Sequence, residues 1–362
     1  MLQRLYIHNF WCLQNFEIKP GDHASLLLIG KNGTGKTAIA KALLILRKLA
    51  TGISRVGDLV KKDDFTLGRT QERMKFSVEA VFKKKAYTYS LVLDLPENFR
   101  EPRVVEESVR VDEKAVYTRQ EAQVTYNNTE FGLDWHLVAL SVLNEKKEGP
   151  LHTLRSWLGR MHILAPVPQS IGGESHGSIE PLSSACENFA DYLAALNADY
   201  PASYGHIQNY LGELMPDLKE FSNELIATDA RMIRVFFGGN GTSVDLKFDR
   251  LSDGEKCMFV CAAVLASQRV RDNFFVFWDE PDNYLALSEV EHFIRTLRKN
   301  FRDGSQIWMT SHNEATINCF SHENTLLLHR KNHCDPVELH PIHEILGDTE
   351  STIQKLRLNE LS

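Results

Sequence analysis

The octapeptide GKNGTGKT, residues 30–37, constrains the fold of this chain more than any other stretch. It matches the pattern G-x-x-x-x-G-K-S/T at every fixed position, follows the apolar run SLLLI and precedes the helix-like run TAIAKALLILRKLATG. Its glycines let successive backbone N–H groups turn inward, and these donors combine with a helix N-terminus to surround phosphate oxygens. The stretch therefore predicts a phosphate-binding loop between a strand and a helix. The alternative is a glycine-rich turn capped by Thr37, which the agreement of spacing, strand and helix disfavours.

The positions of this loop have different expected roles. The ammonium of Lys36 is expected to reach the terminal phosphates of a nucleotide, and the hydroxyl of Thr37 is expected to ligate Mg²⁺. The remaining nucleotide-binding contacts are expected from Gly30, Lys31, Asn32, Gly33, Thr34 and Gly35. The loop thus predicts a phosphorylated nucleotide and Mg²⁺ as cofactors.

A second candidate site lies at the end of the apolar run FFVFWDE, which closes with Asp279 and Glu280. Continuous apolar strands are buried on both faces of parallel sheets, and ligands bind at the carboxyl ends of such strands. Asp279 is therefore expected beside Thr37 as a second Mg²⁺ ligand, and Glu280 is expected to polarise the attacking water. A solvated strand end is the alternative, which the upstream phosphate loop disfavours.

Strand-like and helix-like runs alternate near both ends of the chain, which predicts an α/β fold with a mostly parallel core sheet. Residues 75–131 alternate polar and apolar side chains and predict an antiparallel β subdomain inserted into that core. Residues 133–222 are typical of a helical lobe, and the runs RMIRVFF and VDLKF predict a hairpin across GGNGT. The expected organisation is one domain over 1–362, with these parts: N-terminal strands and phosphate loop 1–50, β insertion 75–131, helical lobe 133–222 and C-terminal half 230–330.

The charge, hydropathy and cysteine patterns disfavour several classes of protein. The formal net charge is -7 and the pI is about 6.1, so any nucleic-acid contact would need a local basic patch. No window approaches the ~18 consecutive apolar residues of a membrane span, and the N-terminus mixes charged with apolar residues, so neither a span nor a signal peptide is expected. The six cysteines lack paired spacing, which favours a reducing, cytoplasmic setting.

The stretch LSDGE, residues 251–255, precedes a long apolar helical run and has the pattern of a capped helix start. Together with the phosphate loop and the Asp279–Glu280 pair, it resembles the signature motif of ABC-type ATPases. That resemblance implies that Ser252 and Gly254 contact the γ-phosphate of ATP held by the phosphate loop of a second copy. A cap and a phosphate site use the same free N–H groups, so both interpretations stay open.

Further positions are carried over from the same resemblance. His312, which ends the run IWMTSH, corresponds to the switch histidine that contacts the γ-phosphate. Asp282 and Asn283 occupy the D-loop position and would face the dimer interface, although the Leu-His-Pro sequence of many relatives is replaced here. Gln169, in APVPQS, is either the Q-loop glutamine that contacts Mg²⁺ and water or a surface polar residue.

The N-terminal run LYIHNFWCLQNFEI resembles the strands that precede the phosphate loop in RecF/OLD-like ATPases, a group that includes the ATPase subunits of two-gene anti-phage systems. No heptad run lies between the phosphate loop and Asp279, so no long coiled coil is expected. The resemblance implies hydrolysis of ATP with Mg²⁺ and a head-to-tail dimer or higher oligomer that forms on ATP. The protein would act as a sensor or switch for a partner effector in anti-phage defence. That effector would be a nuclease in trans, since no nuclease motif is apparent in this sequence.

A second hypothesis is a RecF-like DNA repair or recombination ATPase that binds DNA directly. The basic runs Lys61–Lys62 and Lys83–Lys85 are either solvated turns or nucleic-acid contacts. A transporter nucleotide-binding subunit is disfavoured, because LSDGE and the β subdomain look unlike transporter subunits. In the stretch 329–343, four histidines and one cysteine lack standard zinc-site spacing, so a solvated, irregular segment is expected there.

Overall fold

The computed structural model describes residues 1–145, 149–239, 241–302 and 304–345. The chain divides into two compact units, which we call unit 1 (Met1–Met161 with Phe320–Ser362) and unit 2 (His162–Cys319). The phosphate loop belongs to unit 1. The other predicted site residues belong to unit 2: Gln169, Ser252, Gly254, Asp279, Glu280 and His312.

The strands vary in length from two to ten residues. In chain order, those of the described residues are β1 (Leu2–His8), β2 (Phe16–Ile18), β3 (Ser25–Ile29), β4 (Met74–Phe82), β5 (Lys85–Asp94), β6 (Arg103–Val111), β7 (Lys114–Gln120), β8 (Gln123–Tyr126), β9 (Thr129–Gly132), β10 (His162–Leu164), β11 (Glu174–Ser175), β12 (Leu218–Ala227), β13 (Ala230–Gly239), β14 (Thr242–Lys247), β15 (Phe275–Trp278), β16 (Gln306–Thr310), β17 (Thr325–His329) and β18 (Glu338–Pro341).

The helices are short to medium in length, and within the described ranges the longest has 18 residues. In chain order they are α1 (Lys36–Ala50), α2 (Ala139–Val142), α3 (Pro150–Gly159), α4 (Phe189–Asp199), α5 (Ala202–Leu214), α6 (Asp253–Val270), α7 (Leu287–Asn300), α8 (Glu314–Asn318) and α9 (Ile342–Ile345). No helix in the described part of the chain has the length and apolar character needed to cross a membrane.

Unit 1 contains an eight-stranded antiparallel sheet with the order β2-β1-β4-β5-β6-β7-β8-β9. Strands β4 to β9 form a meander, and β1 pairs along its length with β4, so the N-terminal hairpin extends the same sheet. The sequence indicates β1 and β2 only as a separate pair, because the pairing of β1 with β4 joins residues about 70 positions apart. A second group of strands in unit 1 places β3 parallel to β17 and β17 antiparallel to β18.

Within the stretch 329–343, residues 330–337 are irregular and mostly exposed, as the sequence predicts, but the two ends of the stretch are regular. The stretch contains the end of β17 and the whole of β18, which are paired from Leu326 opposite Pro341 to His329 opposite Glu338. The histidine and cysteine spacing carries no information about this pairing, because the hydrogen bonds of the ladder come from the backbone. Within the described residues, no group of histidines, cysteines or carboxylates is arranged to hold a metal ion.

Unit 2 is built on three parallel strands, with β15 between β10 and β16. All residues of β15 and β16 are buried, as expected for strands covered on both faces. Helix α6 is buried over most of its surface, and helix α7 buries one stripe formed by Val290, Phe293, Ile294 and Leu297. This core fixes the strand ends that carry Asp279 and His312.

A four-stranded antiparallel sheet lies in unit 2, in which β13 pairs with β11, β12 and β14. The prediction that residues 133–222 form a helical lobe is corrected here. This stretch also contains three strands: β10, β11 and the start of β12. In β12 the buried residues Leu218 and Phe221 are three positions apart, which is a helix-like spacing. Pairing with β13 along the strand overrides that local pattern. The predicted β13–β14 hairpin is present, and position 240 of its turn lies outside the described residues.

A buried polar cluster in unit 1 is centred on Glu107, which is 1% exposed. Its carboxylate accepts hydrogen bonds of 2.7 to 3.2 Å from two hydroxyls and two backbone N–H groups, those of Tyr89, Tyr117, Ala139 and Leu140. The guanidinium of Arg119, also buried, lies 3.9 Å from the same carboxylate. Burial raises the pKa of Glu107, and these hydrogen bonds and the guanidinium oppose the rise. The cluster joins the β subdomain to the start of α2.

Glu107→Ala is expected to lower the free energy of unfolding by about 3–5 kcal/mol, because Arg119 and two tyrosine hydroxyls lose a buried partner. The matched control is Glu106→Ala, which removes an exposed carboxylate paired with Arg73 and should cost less than about 1 kcal/mol. Urea unfolding followed by circular dichroism measures both. Equal losses for the two variants would show that the buried cluster is not what stabilises this part of unit 1.

Candidate functional site

The phosphate loop of unit 1 has a backbone that only glycine fits at several positions. Gly33 and Gly35 have φ values of 81° and 96°, in the region that side chains disfavour. At Gly30 the limit is space, because an added Cβ would lie 2.4 Å from the carbonyl oxygen of Leu328 on the neighbouring strand β17. The glycine spacing in the sequence therefore reflects both a turn and a close backbone approach.

Lys36 is 7% exposed, and its ammonium lies inside the loop. Its Nζ donates to the carbonyl oxygens of Gly30, at 2.8 Å, and Lys31, at 3.3 Å. Helix α1 begins at Lys36 after Gly35, which has no side chain to cap it, so the first N–H groups of α1 are directed to the loop. The hydroxyl of Thr37 is on an exposed residue of the first helical turn. This arrangement supplies a cation, the amide donors of a helix N-terminus and a hydroxyl, which suit a phosphate group.

Arg330, which the sequence does not single out, supports the phosphate loop. The guanidinium of Arg330 donates to the carbonyl oxygen of Gly33 at 3.3 Å, and also to the carbonyl oxygens of His333 and Asp335. Cys12 also contacts the phosphate loop, at Gly35, and burial raises the pKa of its thiol. Contacts between positions 33 and 330 leave no local signal in the sequence, which explains why these residues were missed.

In unit 2, Asp279 follows the last residue of β15. Its backbone N–H donates to the carbonyl of Leu164 at 2.7 Å, which continues the pairing with β10. Its Oδ1 accepts a hydrogen bond of 2.5 Å from the hydroxyl of Thr310, the last residue of β16. Thr310 therefore orients the carboxylate. In the sequence, this role of Thr310 is indicated only by the position of a polar residue at the end of the otherwise apolar run IWMT.

The carboxylate of Glu280 is held from two sides. Asn283 Nδ2 donates to Oε2 at 2.5 Å, and His312 Nε2 lies 3.4 Å from Oε1. The backbone of Glu280 has a φ of 48°, and its N–H donates to the hydroxyl of Thr310 at 3.0 Å. A non-glycine residue in this region costs on the order of 1 kcal/mol or more, and such strain is concentrated at functional sites. The structure thus brings together Asp279, Glu280 and His312, as the sequence predicts.

The D-loop resemblance implies that Asp282 faces outward to a dimer interface, but in the structure this residue is buried. It is 5% exposed and accepts a 2.5 Å hydrogen bond from Ser311 and another from the hydroxyl of Thr316. Both donors come from the segment that follows β16, on either side of His312. Asp282 therefore joins the loop after Glu280 to the segment that carries the histidine, and its carboxylate satisfies two buried hydroxyls.

Ser252 caps helix α6 in a complete capping box. Its hydroxyl accepts from the N–H of Glu255 at 3.3 Å, and the Glu255 carboxylate accepts from the Ser252 N–H at 2.7 Å. Ser252 is exposed, so the cap does not remove it from the surface. The backbone of Gly254 lies close to the loop that follows Glu280. An added Cβ at this position would be 3.0 Å from the carbonyl oxygen of Tyr284. The predicted cap is confirmed.

Gln169 lies in a short 3₁₀ turn, Pro168–Ser170, after β10. Its Nε2 donates to Asp253 Oδ2 at 2.6 Å, and Lys256 Nζ donates to the carbonyl of Pro168 at 3.2 Å. The turn is thus bonded to the first part of α6. Gln169 is an exposed residue whose amide oxygen is a suitable ligand type for Mg²⁺, while its amide nitrogen pairs with the signature helix.

The fold and these motifs define the head of an ABC-type ATPase, with strands, phosphate loop and signature helix in the order typical of that class. Residues 1–334 match the model of the family described as RecF/RecN/SMC N-terminal domain. The chain belongs to this family.

Solved structures of SMC heads share the fold. The SmcHead bound to the C-winged helix domain of ScpA is 12% identical, with a TM-score of 0.57 over 95% of this chain and 99% of that one. The Smc head domain with an extended coiled coil from Pyrococcus furiosus, bound to the C-terminal domain of ScpA, is 11% identical, with a TM-score of 0.52 over 99% of each chain. Among curated proteins, no sequence match was found.

Proposed function

We propose that this protein binds and hydrolyses ATP and uses the ATP cycle as a switch. The observation that carries the proposal is the pair of carboxylates after β15, in which Thr310 orients Asp279 while Asn283 and His312 hold Glu280. Because the two neighbouring carboxylates have different hydrogen-bonding partners, each can take a different chemical role. ABC-type ATPases of this family hydrolyse ATP, and the carboxylates of Asp279 and Glu280 with the imidazole of His312 are groups of the kind that such a reaction uses.

The phosphates of ATP would be bound by the N–H groups of residues 30–37 and by the ammonium of Lys36. The hydroxyl of Thr37, the carboxylate of Asp279 and the amide oxygen of Gln169 are the oxygen ligands that we propose for Mg²⁺, since this ion prefers oxygen ligands. When bound, Mg²⁺ would neutralise charge on the phosphate oxygens. Glu280 would orient a water and accept its proton, and His312 would donate a hydrogen bond to the γ-phosphate.

We propose that Ser252 and the N-terminus of α6 complete the ATP site of a second copy. The serine is exposed at the start of an 18-residue helix whose N–H groups suit an anion. A two-fold, head-to-tail pair of chains would then enclose two ATP molecules, so the dimer would form on ATP and separate after hydrolysis. The protein's first partner is therefore another copy of itself.

The proposed output of this switch is the control of an effector protein, a nuclease acting in trans in anti-phage defence. It is supported by the net charge of -7, which disfavours broad contact between this chain and nucleic acid. The SMC heads in the two solved structures are each bound to a domain of ScpA. An effector protein that binds to the head of this chain would be an interaction of the same kind.

One observation favours the second candidate, direct binding of DNA in repair. Lys83, Lys84 and Lys85 are all exposed where β4 turns into β5, and together they present three positive charges. Changing all three to Gln separates the two candidates. Loss of DNA binding and of any DNA-stimulated ATP hydrolysis would favour the repair function, and no DNA binding by the unaltered protein would favour the effector switch.

The experiment that tests the proposed function measures phosphate release and particle mass on the same sample. With ATP and Mg²⁺, the purified protein should release phosphate, and EDTA should abolish this release. With ATP and EDTA, or with a non-hydrolysable analogue, light scattering should show a dimer. A protein that remains a monomer and releases no phosphate under every nucleotide condition would exclude the proposal.

Arg330→Gln is expected to weaken ATP binding roughly tenfold, because the phosphate loop loses a guanidinium that holds the carbonyl of Gly33 outward. The matched control is Lys331→Gln, which removes a charge from the exposed neighbouring residue. Equilibrium binding of a fluorescent ATP analogue measures both variants. If Lys331→Gln weakens binding as much as Arg330→Gln does, the effect is one of charge and not of loop support.

A further inference from the structure

A cleft in unit 2, away from the motifs described above, has the size of a small-molecule site. It lies between helices α5, α6 and α7 and has a volume of about 400 Å³. Pockets for small ligands occupy about 300–1,000 Å³. None of the residues that line it belongs to the phosphate loop, the signature motif or the carboxylate pair. The proposed ATPase function therefore leaves this cleft without a role.

Positive charge converges on this cleft from two of the three helices. Arg269 comes from α6 and Lys299 from α7, and the imidazoles of His206 and His292 line the same space. Among the lining residues, which are all within the described ranges, Glu213 is the single carboxylate. The two cations outnumber the one carboxylate, which gives the cleft a positive charge in a chain with a net charge of -7. A negatively charged ligand is therefore favoured.

The guanidinium of Arg269 is fixed in position by two neighbours. Its Nη1 donates to Nδ1 of His206 at 3.1 Å, and its Nη2 donates to Oδ1 of Asn300 at 3.2 Å. Asn300 is itself held, because its Nδ2 donates to the carbonyl of Thr296 at 2.8 Å. Since Nδ1 of His206 accepts this bond, its ring proton lies on Nε2 and is a further donor. A fixed, planar guanidinium suits the paired oxygens of a phosphate group.

Part of the cleft wall is apolar. Leu265 and Ala266, from α6, line it beside the positive groups, and both side chains are buried. Such a surface packs against the ring of a sugar or a nucleoside, and the Glu213 carboxylate can accept hydrogen bonds from hydroxyl or amino groups of that ring. A concave site on three helices, in contrast to an extended basic stripe, fits a small molecule better than a nucleic-acid backbone.

We propose that this cleft binds a small phosphorylated molecule, a phosphomonoester carried by a sugar or nucleoside. The phosphate would lie against Arg269 and Lys299, and the ring would lie over Leu265 and Ala266. Helices α6 and α7 each begin beside a proposed catalytic motif and end at this cleft. If the proposed ATPase function holds, a ligand in this cleft is placed to act as an effector of the ATP cycle.

Isothermal titration of the full chain with ribose 5-phosphate and with AMP tests the proposal, with ribose and adenosine as the matched compounds without phosphate. At least one phosphorylated probe should bind, and its unphosphorylated partner should bind at least about tenfold more weakly. Arg269→Gln and Lys299→Gln should each weaken binding about tenfold or more. Arg269→Lys should fall between, since it keeps the charge but loses the planar pair of donors.

Two controls identify the place of binding. Arg295→Gln removes an exposed cation from α7 outside the cleft and should bind the probe as the unaltered protein does. Lys36→Ala should also bind normally, because the phosphate loop lies in unit 1. Loss of binding in Lys36→Ala alone would assign the phosphate to the loop, which supports the ATP site but overturns the cleft proposal. Binding of neither probe, or unchanged binding after Arg269→Gln and Lys299→Gln together, would also overturn it.

Discussion

Glu280→Gln is expected to retain ATP and to hydrolyse it about 10²–10⁴ times more slowly in a single turnover. The amide keeps the shape of the side chain but cannot accept the proton of the attacking water. Binding should persist, because the groups proposed to hold the phosphates lie in residues 30–37. The ATP-dependent dimer should therefore accumulate in this variant. Rapid-quench measurement of ADP formation, with a filter assay for retained ATP, reports both quantities.

The matched control for this variant is Glu291→Gln, which changes an exposed carboxylate on α7 that pairs with Arg295. It should hydrolyse ATP at the rate of the unaltered protein. Asn283→Ala should give an intermediate rate, because Glu280 loses one of the two groups that hold its carboxylate. If Glu280→Gln instead loses ATP binding, the residue is structural, and the general base lies elsewhere.

Lys36→Ala is expected to abolish ATP binding at the concentrations that saturate the unaltered protein. The loop would lose its one buried ammonium, which contacts the carbonyls of Gly30 and Lys31 and lies where the terminal phosphates would be bound. Charge-assisted hydrogen bonds of this kind contribute about 1.5–3 kcal/mol each, so the loss of two or more reduces affinity by several orders of magnitude.

The control for Lys36→Ala is Lys41→Ala, an exposed lysine one turn further along α1. It keeps the fold of the helix and should bind ATP normally. Thermal melting of both variants separates loss of binding from loss of folding. Turnover by Lys36→Ala similar to that of the unaltered protein would reject the assignment of residues 30–37 as the ATP site.

The parts of the site that sequence could predict are those set by local geometry. The phosphate loop depends on glycines within six positions of one another, and the cap of α6 depends on Ser252 and Glu255, one helical turn apart. The strand ends at Asp279 and His312 follow from continuous apolar runs that stop at polar residues. In each case the residues that make the contact are neighbours in the chain, so their spacing carries the information.

The parts that sequence could not predict depend on contacts between distant positions. Arg330 reaches Gly33 across about 300 residues, and β1 joins the meander through pairing with β4. Asp282 was expected to face outward because it occupies the D-loop position in the resemblance to ABC-type ATPases. Instead it is buried and accepts hydrogen bonds from two hydroxyls of the segment that follows β16. Backbone pairing likewise makes β12 a strand despite its helix-like spacing of buried residues.

The central claim is that Ser252 of one chain completes the ATP site of another. It predicts that two variants, each inactive alone, recover ATP hydrolysis when they are mixed. Ser252→Arg places a long side chain where the γ-phosphate would be bound, while leaving residues 30–37 intact for ATP binding. It also removes the cap of α6, at a cost of about 1 kcal/mol, so its folding is checked by melting. Ser252→Asp keeps a good cap but sets a negative charge against the phosphate, so it should be inactive as well.

The most direct measurement is the rate of ATP hydrolysis in a mixture of Ser252→Arg with Lys36→Ala. Each variant should be inactive alone, but a mixed dimer contains one site with both Lys36 and Ser252 unaltered. With independent sites, each mixed dimer should recover about half of the activity of the unaltered dimer. Mixed dimers, demonstrated by pull-down through a tag on one variant, that hydrolyse ATP no faster than either variant alone would contradict the account.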